Sequence, residues 1–108
     1  MAKEQFKTLT ESMYYVLLAL LNPQHGYGIM QLVDNVTGGK VKVGAGTLYN
    51  LLARFEEEKM IEQIKEEDRK KIYQITEKGL TVLNQELQRL HNLIKDGNKM
   101  LENREDLK

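Results

Sequence analysis

The sequence predicts a mainly α fold with one small β-hairpin, an α+β chain, and three observations predict it. Leu48, Leu51, Leu52 and Phe55 fall at i, i+3, i+4 and i+7, the spacing of a helix with one buried stripe. The period then changes: residues 61–65 (IEQIK) and 71–75 (KIYQI) read as short strands rich in β-branched and aromatic residues, joined by the charged turn Glu66 to Lys70. Farther on, Leu80, Leu83, Leu87, Leu90, Ile94 and Leu101 keep alternating steps of three and four, with Gly97 at the missing step. That repeat reads as a long helix with a coiled-coil seam for a partner helix, the alternative being a long helix packed on its own domain. A helix with a small polar outer face followed by a hairpin with a basic tip is the layout of a winged helix-turn-helix. In such a layout the helix enters the DNA major groove and the hairpin tip meets backbone phosphate.

Composition bounds the reading. A chain of 108 residues is one domain with a real but modest core. Sixteen Lys and Arg balance sixteen Asp and Glu, so no global basic field advertises nucleic acid, and any basic surface must be local. The absence of Cys excludes disulfides and thiolate zinc sites. The polar start does not resemble a signal peptide, and the apolar run from Met13 to Leu21 is too short to span a membrane. The expectation is a soluble, cytoplasmic protein.

Taken in order, Thr8 and Glu11 have the spacing of a capping box, so the first helix starts near Thr8 or Thr10. It runs to about Leu21, where Asn22 and Pro23 stop it. Leu9, Met13, Val16, Leu17 and Leu20 form one stripe, while Tyr14, Leu18 and Leu21 are apolar or aromatic on other sides. A helix apolar nearly all round must be covered twice, and in a short chain the second cover points to another subunit. After His25-Gly26-Tyr27-Gly28 a second helix carries Ile29, Leu32, Val33 and Val36 inward and ends at Thr37-Gly38-Gly39. Lys40 to Val43 alternates, reading as an extended segment able to pair with the hairpin. Gly44-Ala45-Gly46 then turns tightly into the third helix, giving a helix-turn-helix pair. Thr76 reads as the N-cap of the last helix. Residues 1–75 thus form the winged helix-turn-helix and 76–108 a dimerisation helix, together one compact unit.

The third helix turns Gly46, Asn50 and Ala53 outward, flanked by Thr47, Tyr49 and Arg54. Asn50, Thr47 and Tyr49 can bond base edges or phosphate, Asn being suited to adenine. Tyr49 reads equally as a half-buried residue stapling the helix in place. Gly46 lets free backbone N–H groups approach phosphate. Arg54 can reach phosphate or pair with Glu57 or Glu58. Arg69, Lys70 and Lys71 are the wing's phosphate candidates, with Lys40 and Lys42 behind them. Glu56, Glu57 and Glu58 would repel DNA, so that end of the helix points away. His25 and His91 lack partners at ligand spacing, so no metal site is expected, and His25 is read as packing locally. No catalytic set stands out, and the reading is not an enzyme.

Four segments, His25 to Ile29 (HGYGI), Gly46 to Tyr49 (GTLY), the acidic stretch up to Met60-Ile61, and Lys71 to Gly79 (KIYQITEKG), resemble in order and spacing the motifs of PadR-family transcriptional regulators. The likeness covers nearly the whole chain and is to the short subfamily with a single helix after the wing. It implies a homodimer built by the last helix and the first, reading a dyad-symmetric operator. It further implies a repressor released by a small aromatic or apolar ligand, with no cofactor. Dimer contacts fall to Leu80, Leu83, Leu87, Leu90, Ile94, Tyr14 and Leu18. Two departures stand out: Asn50 replaces a frequent Pro, and Lys59 replaces a usual Gly before the first wing strand. The chain has no Trp, and Leu90 takes the place where similar short members carry the Trp that sandwiches planar drugs. What remains is a general apolar site between Tyr14, Tyr15, Leu18 and Leu90. The neutral charge also keeps a second class open, a winged-helix adaptor for proteins or small molecules with little DNA affinity.

Overall fold

A computed structural model of the chain describes residues 8–105. Within them lie α1 (Glu11–Ala19), α2 (Gly26–Val36), α3 (Ala45–Glu57), the antiparallel strands β1 (Ile61–Glu67) and β2 (Lys70–Ile75), and α4 (Glu77–Glu102). This is the α+β arrangement the periodicities predict. Val16, Leu17 and Leu20 from the first helix, Ile29 and Val33 from the second, and Leu48, Leu52 and Phe55 from the third close one core with Met60, Ile61, Tyr73 and Leu83.

Local chemistry sets the element ends. Thr10 caps α1 by accepting the Met13 N–H at 3.2 Å, so the box between Thr8 and Glu11 is not the one used. At the end of α2, Gly38 and Gly39 take left-handed backbone (φ 60° and 82°) and return their N–H groups to Asn35 and Asp34. The end of α3 makes the same closure without glycine: Lys59 sits at φ 61°, with Lys59 N–H to Glu56 and Met60 N–H to Phe55. Thr76 begins α4, accepting the Gly79 N–H at 3.1 Å while its hydroxyl donates to the Lys59 carbonyl at 2.7 Å. A Cβ on Gly79 would strike the Met60 carbonyl, which is why the helix can start so close to the hairpin.

Four expectations change. The segment Lys40 to Val43 does not pair with the hairpin. The buried Thr37 hydroxyl holds it instead, donating to the Val33 carbonyl (2.8 Å) and accepting from Val41 N–H (3.1 Å). The hairpin pairs with the α1–α2 loop through Gln24 N–H to Tyr73 (3.0 Å), Tyr73 N–H to Gln24 (2.9 Å) and Ile75 N–H to Leu20 (2.9 Å). Secondly, Leu32 and Val36 are exposed and only Ile29 and Val33 of that stripe are buried, because α1 and α3 cover one side of α2. Thirdly, the wing turn is Asp68-Arg69 alone, since Lys70 already pairs with Glu67. Lastly, Leu83 cannot belong to a seam between subunits: it is 1% exposed, packed in the chain's own core.

Candidate nucleic-acid interface

The exposed face of α3 follows from what its other face buries. With Leu48, Leu52 and Phe55 turned inward, Gly46, Thr47, Tyr49, Asn50, Ala53 and Arg54 are all exposed. Gly44 is the N-cap and offers no side-chain acceptor, so no side chain caps the N–H groups of the first turn. Gly46 has no close neighbour where a Cβ would stand, so packing does not require glycine there. Backbone approach to a ligand is what its missing side chain permits.

Tyr49 combines exposure with a local contact. It is 56% exposed, yet its hydroxyl lies 2.7 Å from where a Cβ on Gly26 would be. Gly26 is therefore glycine so that α3 can lean its tyrosine on the start of α2. Its neighbours in HGYG have equally local reasons. His25 is the N-cap of α2, its Nδ1 accepting the Gly28 N–H at 3.2 Å, and Gly28 leaves room for the Gln24 side chain. The Gln24 side-chain oxygen in turn accepts the His25 N–H at 3.0 Å.

The wing tip is built by backbone geometry. Asp68 (φ 51°) and Arg69 (φ 65°) form a two-residue turn with both residues left-handed, the conformation whose twist matches a hairpin. It presents Arg69 at the apex. Directly across the strands, Glu67 faces Lys70 and Glu66 faces Lys71, so each wing lysine shares its side of the hairpin with a carboxylate. A bulge between Gln63 and Lys65 leaves Ile64 unpaired and exposed.

These parts meet in one groove of about 400 Å³, lined by His25, Gly26, Tyr27, Tyr49, Arg69, Lys70, Lys71 and Tyr73. Its rim carries three cations, three tyrosines and the start of α2, where the helix dipole favours an anion. Burial, then the Glu56 carboxylate, then Tyr49, push the Tyr73 hydroxyl above its ordinary range, so it stays protonated as a donor. The structure thus brings Tyr49 together with Arg69, Lys70 and Lys71, while Gly46, Thr47, Asn50 and Arg54 share the exposed face of α3. It does not bring Lys42 to the groove: that ammonium lies 3.5 Å from Asp34 of α2. Sequence reasoning missed His25, Gly26, Tyr27 and Tyr73 as groove residues. The HGYG and KIY segments were the available signal.

The apolar site expected near the dimer helices is split. Tyr14, Tyr15 and Leu90 line a cavity of about 300 Å³ with Leu9, Glu86 and Arg89 at the crossing of α1 and α4. Leu18 lines a separate groove of about 80 Å³ between α1 and α2, with Tyr15, Leu32 and Val36. Glu86 is buried and takes a two-point bond from Arg89 (2.8 and 2.7 Å), which holds its carboxyl below the usual carboxylate range against the cost of burial. Among the described residues no group of His, Asp and Glu could hold a metal ion, and no helix is long and apolar enough to cross a membrane.

Comparison with known proteins places this geometry. The transcriptional regulator PadR-like family matches residues 16–85, from the second half of α1 to the first turns of α4. A PadR-like transcriptional regulator from Bacillus cereus is similar at 26% identity and TM-score 0.69, covering 86% of this chain and 93% of that one. A PadR family regulator from Eggerthella lenta aligns at 27% identity and TM-score 0.67, covering 86% and 83%. A transcriptional regulator from Clostridium thermocellum shares the fold at 24% identity and TM-score 0.70, covering 82% and 90%. Among curated proteins, a 37.1 kDa protein in transposon TN4556 of Streptomyces fradiae is 35% identical over 72 residues, 66% of this chain. The chain spans 20% of that relative's length.

Proposed function

The chain belongs to the PadR-like family of transcriptional regulators, and on that footing we propose that it is a dimeric DNA-binding regulator holding duplex DNA against α3 and the hairpin tip. The observation that carries the reading is the convergence of Tyr49, the wing cations Arg69, Lys70 and Lys71, and the start of α2 on one groove beside the exposed face of α3. Thr47 and Asn50 reach base edges in the major groove, Asn50 bonding an adenine. Gly46 brings the α3 N-terminus to a phosphate, and Arg54 stands farther along the same helix. Arg69, Lys70 and Lys71 bind the backbone and set register without reading sequence.

In this reading residues 1–75 bind DNA and 76–108 dimerise, so a two-fold dimer reads an operator with dyad symmetry. Leu80, Leu87, Leu90, Ile94 and Tyr14 remain at least partly exposed for a partner. The chain acts as a repressor, and a small apolar or aromatic ligand bound between Tyr14, Tyr15 and Leu90 releases it. The α1–α4 cavity supports that step, being lined by the edge-to-face pair Tyr14 and Tyr15 with centroids 5.3 Å apart. One observation favours a second reading, an adaptor with little DNA affinity: Glu66 and Glu67 sit directly across from the wing lysines.

The two part on salt. Titration into labelled DNA from upstream of the protein's own gene, beside a scrambled duplex, is run at two salt concentrations. The regulator gives tight, salt-sensitive binding to the upstream duplex alone. No binding to any duplex of a tiled promoter library would hold for the adaptor.

A further inference from the structure

The groove between the wing and the start of α2 holds donors and cations that the protomer leaves unused. Gly28 and Ile29 give their N–H groups to His25, whereas those of Gly26 and Tyr27 have no acceptor among the described residues. Because His25 Nδ1 accepts the Gly28 N–H, the ring's own proton stands on Nε2, which makes His25 a donor too. Tyr73 is only 6% exposed and lines the same groove, and its hydroxyl makes no hydrogen bond among the described residues. A hydroxyl so placed carries a cost that a ligand oxygen removes.

The charges point the same way. Lys65 takes the Glu67 carboxylate at 3.2 Å, and among the described residues none of Arg69, Lys70 and Lys71 makes an ion pair. No carboxylate among them lines the groove. Three cations beside a helix start exceed what one backbone phosphodiester, with its single negative charge, neutralises. A phosphate monoester carries about −1.5 to −2 at pH 7 and matches them better.

Size and rim bear on what that phosphate is attached to. About 400 Å³ is a small-molecule volume, well beyond a bare phosphate. Tyr27 and Tyr49 stand on the rim 60% and 56% exposed, offering flat faces on which any base stacks. Bases in duplex DNA already stack on one another, so a free nucleotide uses these rings where a duplex does not.

We infer that this groove binds a free nucleoside monophosphate, and that the bound nucleotide excludes duplex DNA from the wing. The N–H groups opening α2, the Tyr73 hydroxyl and the wing cations hold its phosphate, and its base lies against Tyr27 and Tyr49. The nucleotide site stands on its own geometry; the exclusion rests on the DNA-binding reading above.

Calorimetric titration of the full chain with AMP, inorganic phosphate and adenosine, at one fixed ionic strength, tests the site. AMP is expected to fill a single site per chain, with phosphate and adenosine each about tenfold or more weaker, the size of one stacked base or one charged contact. Tyr73→Phe keeps the buried ring and removes only the hydroxyl, and should weaken AMP severalfold. Tyr27→Ala, at an exposed position, should bring AMP down toward inorganic phosphate. AMP should also displace the labelled upstream duplex where adenosine does not. No AMP binding, or AMP binding indifferent to both variants, overturns the site. AMP that binds but leaves the duplex in place overturns the exclusion alone. If no duplex binds at all, the DNA-binding reading fails and the AMP titration still decides the site.

Discussion

Lys59 holds a backbone conformation that suits glycine, at the point where α3 hands over to the wing. A left-handed turn costs a side-chain-bearing residue about 1–2 kcal/mol, part of which glycine gives back as chain entropy in the unfolded state. Lys59→Gly is therefore expected to stabilise the fold by up to about 1 kcal/mol, read as a raised thermal midpoint; an unchanged or lowered midpoint would contradict the strain. Gly26 is the opposite case, since a methyl there meets the Tyr49 hydroxyl. Gly26→Ala should shift Tyr49 and weaken DNA binding more than it lowers stability, a split visible by titrating and melting the same variant. At Glu86 the carboxyl is held down chiefly by Arg89, so its folded value lies below its unfolded one. Its stabilising effect is then fully present above the ordinary carboxylate range and is lost as pH falls through the folded value. Glu86→Gln should cost about 1 kcal/mol at neutral pH and flatten the acid side of the stability profile. An acid profile identical to the parent's would show that the pair does nothing.

At the scale of elements, α3, the hairpin and the start of α4 were legible because each is declared by a local pattern. The Leu48 to Phe55 stripe, the β-branched strands and the Thr76 cap all act within a few residues of themselves. The bridge from Gln24 to Tyr73 was not legible, because a single-residue pairing leaves no period in the sequence. The inward face of α2 was half legible. Ile29, Leu32, Val33 and Val36 form one arc by spacing, but only the position of α1 and α3 decides that Leu32 and Val36 stay outside. The repeat on α4 was half legible in a similar way, since Leu83 on it serves the chain's own core while Leu80, Leu87, Ile94 and Leu101 stay exposed. In the proposed reading Glu66 and Glu67, across from Lys71 and Lys70, restrain the wing's hold on phosphate. Glu67→Gln should tighten binding to every duplex alike, while a loss of affinity would assign that carboxylate a positive role. Leu87→Asp, on the exposed side of α4, should weaken the dimer; sedimentation unchanged from the parent would exclude Leu87 from the interface.

For the whole molecule, a net charge of zero means that affinity for DNA has to come from a local concentration of cations rather than from a general field. The fold supplies that concentration by folding the wing onto the α2–α3 corner. In the proposed reading labour is divided across that corner, with α3 reading sequence and the wing holding backbone. Comparing Asn50→Ala with Lys70→Ala on the upstream duplex and a scrambled one, across a salt series, puts that division to the test. Asn50→Ala should narrow the gap between the two duplexes by about 1–3 kcal/mol while leaving the salt slope alone. Lys70→Ala should weaken both duplexes alike and reduce the slope by about 1 for each phosphate the side chain neutralises. If both variants change the gap and the slope in the same way, the assignment of base reading to α3 and phosphate binding to the wing is wrong.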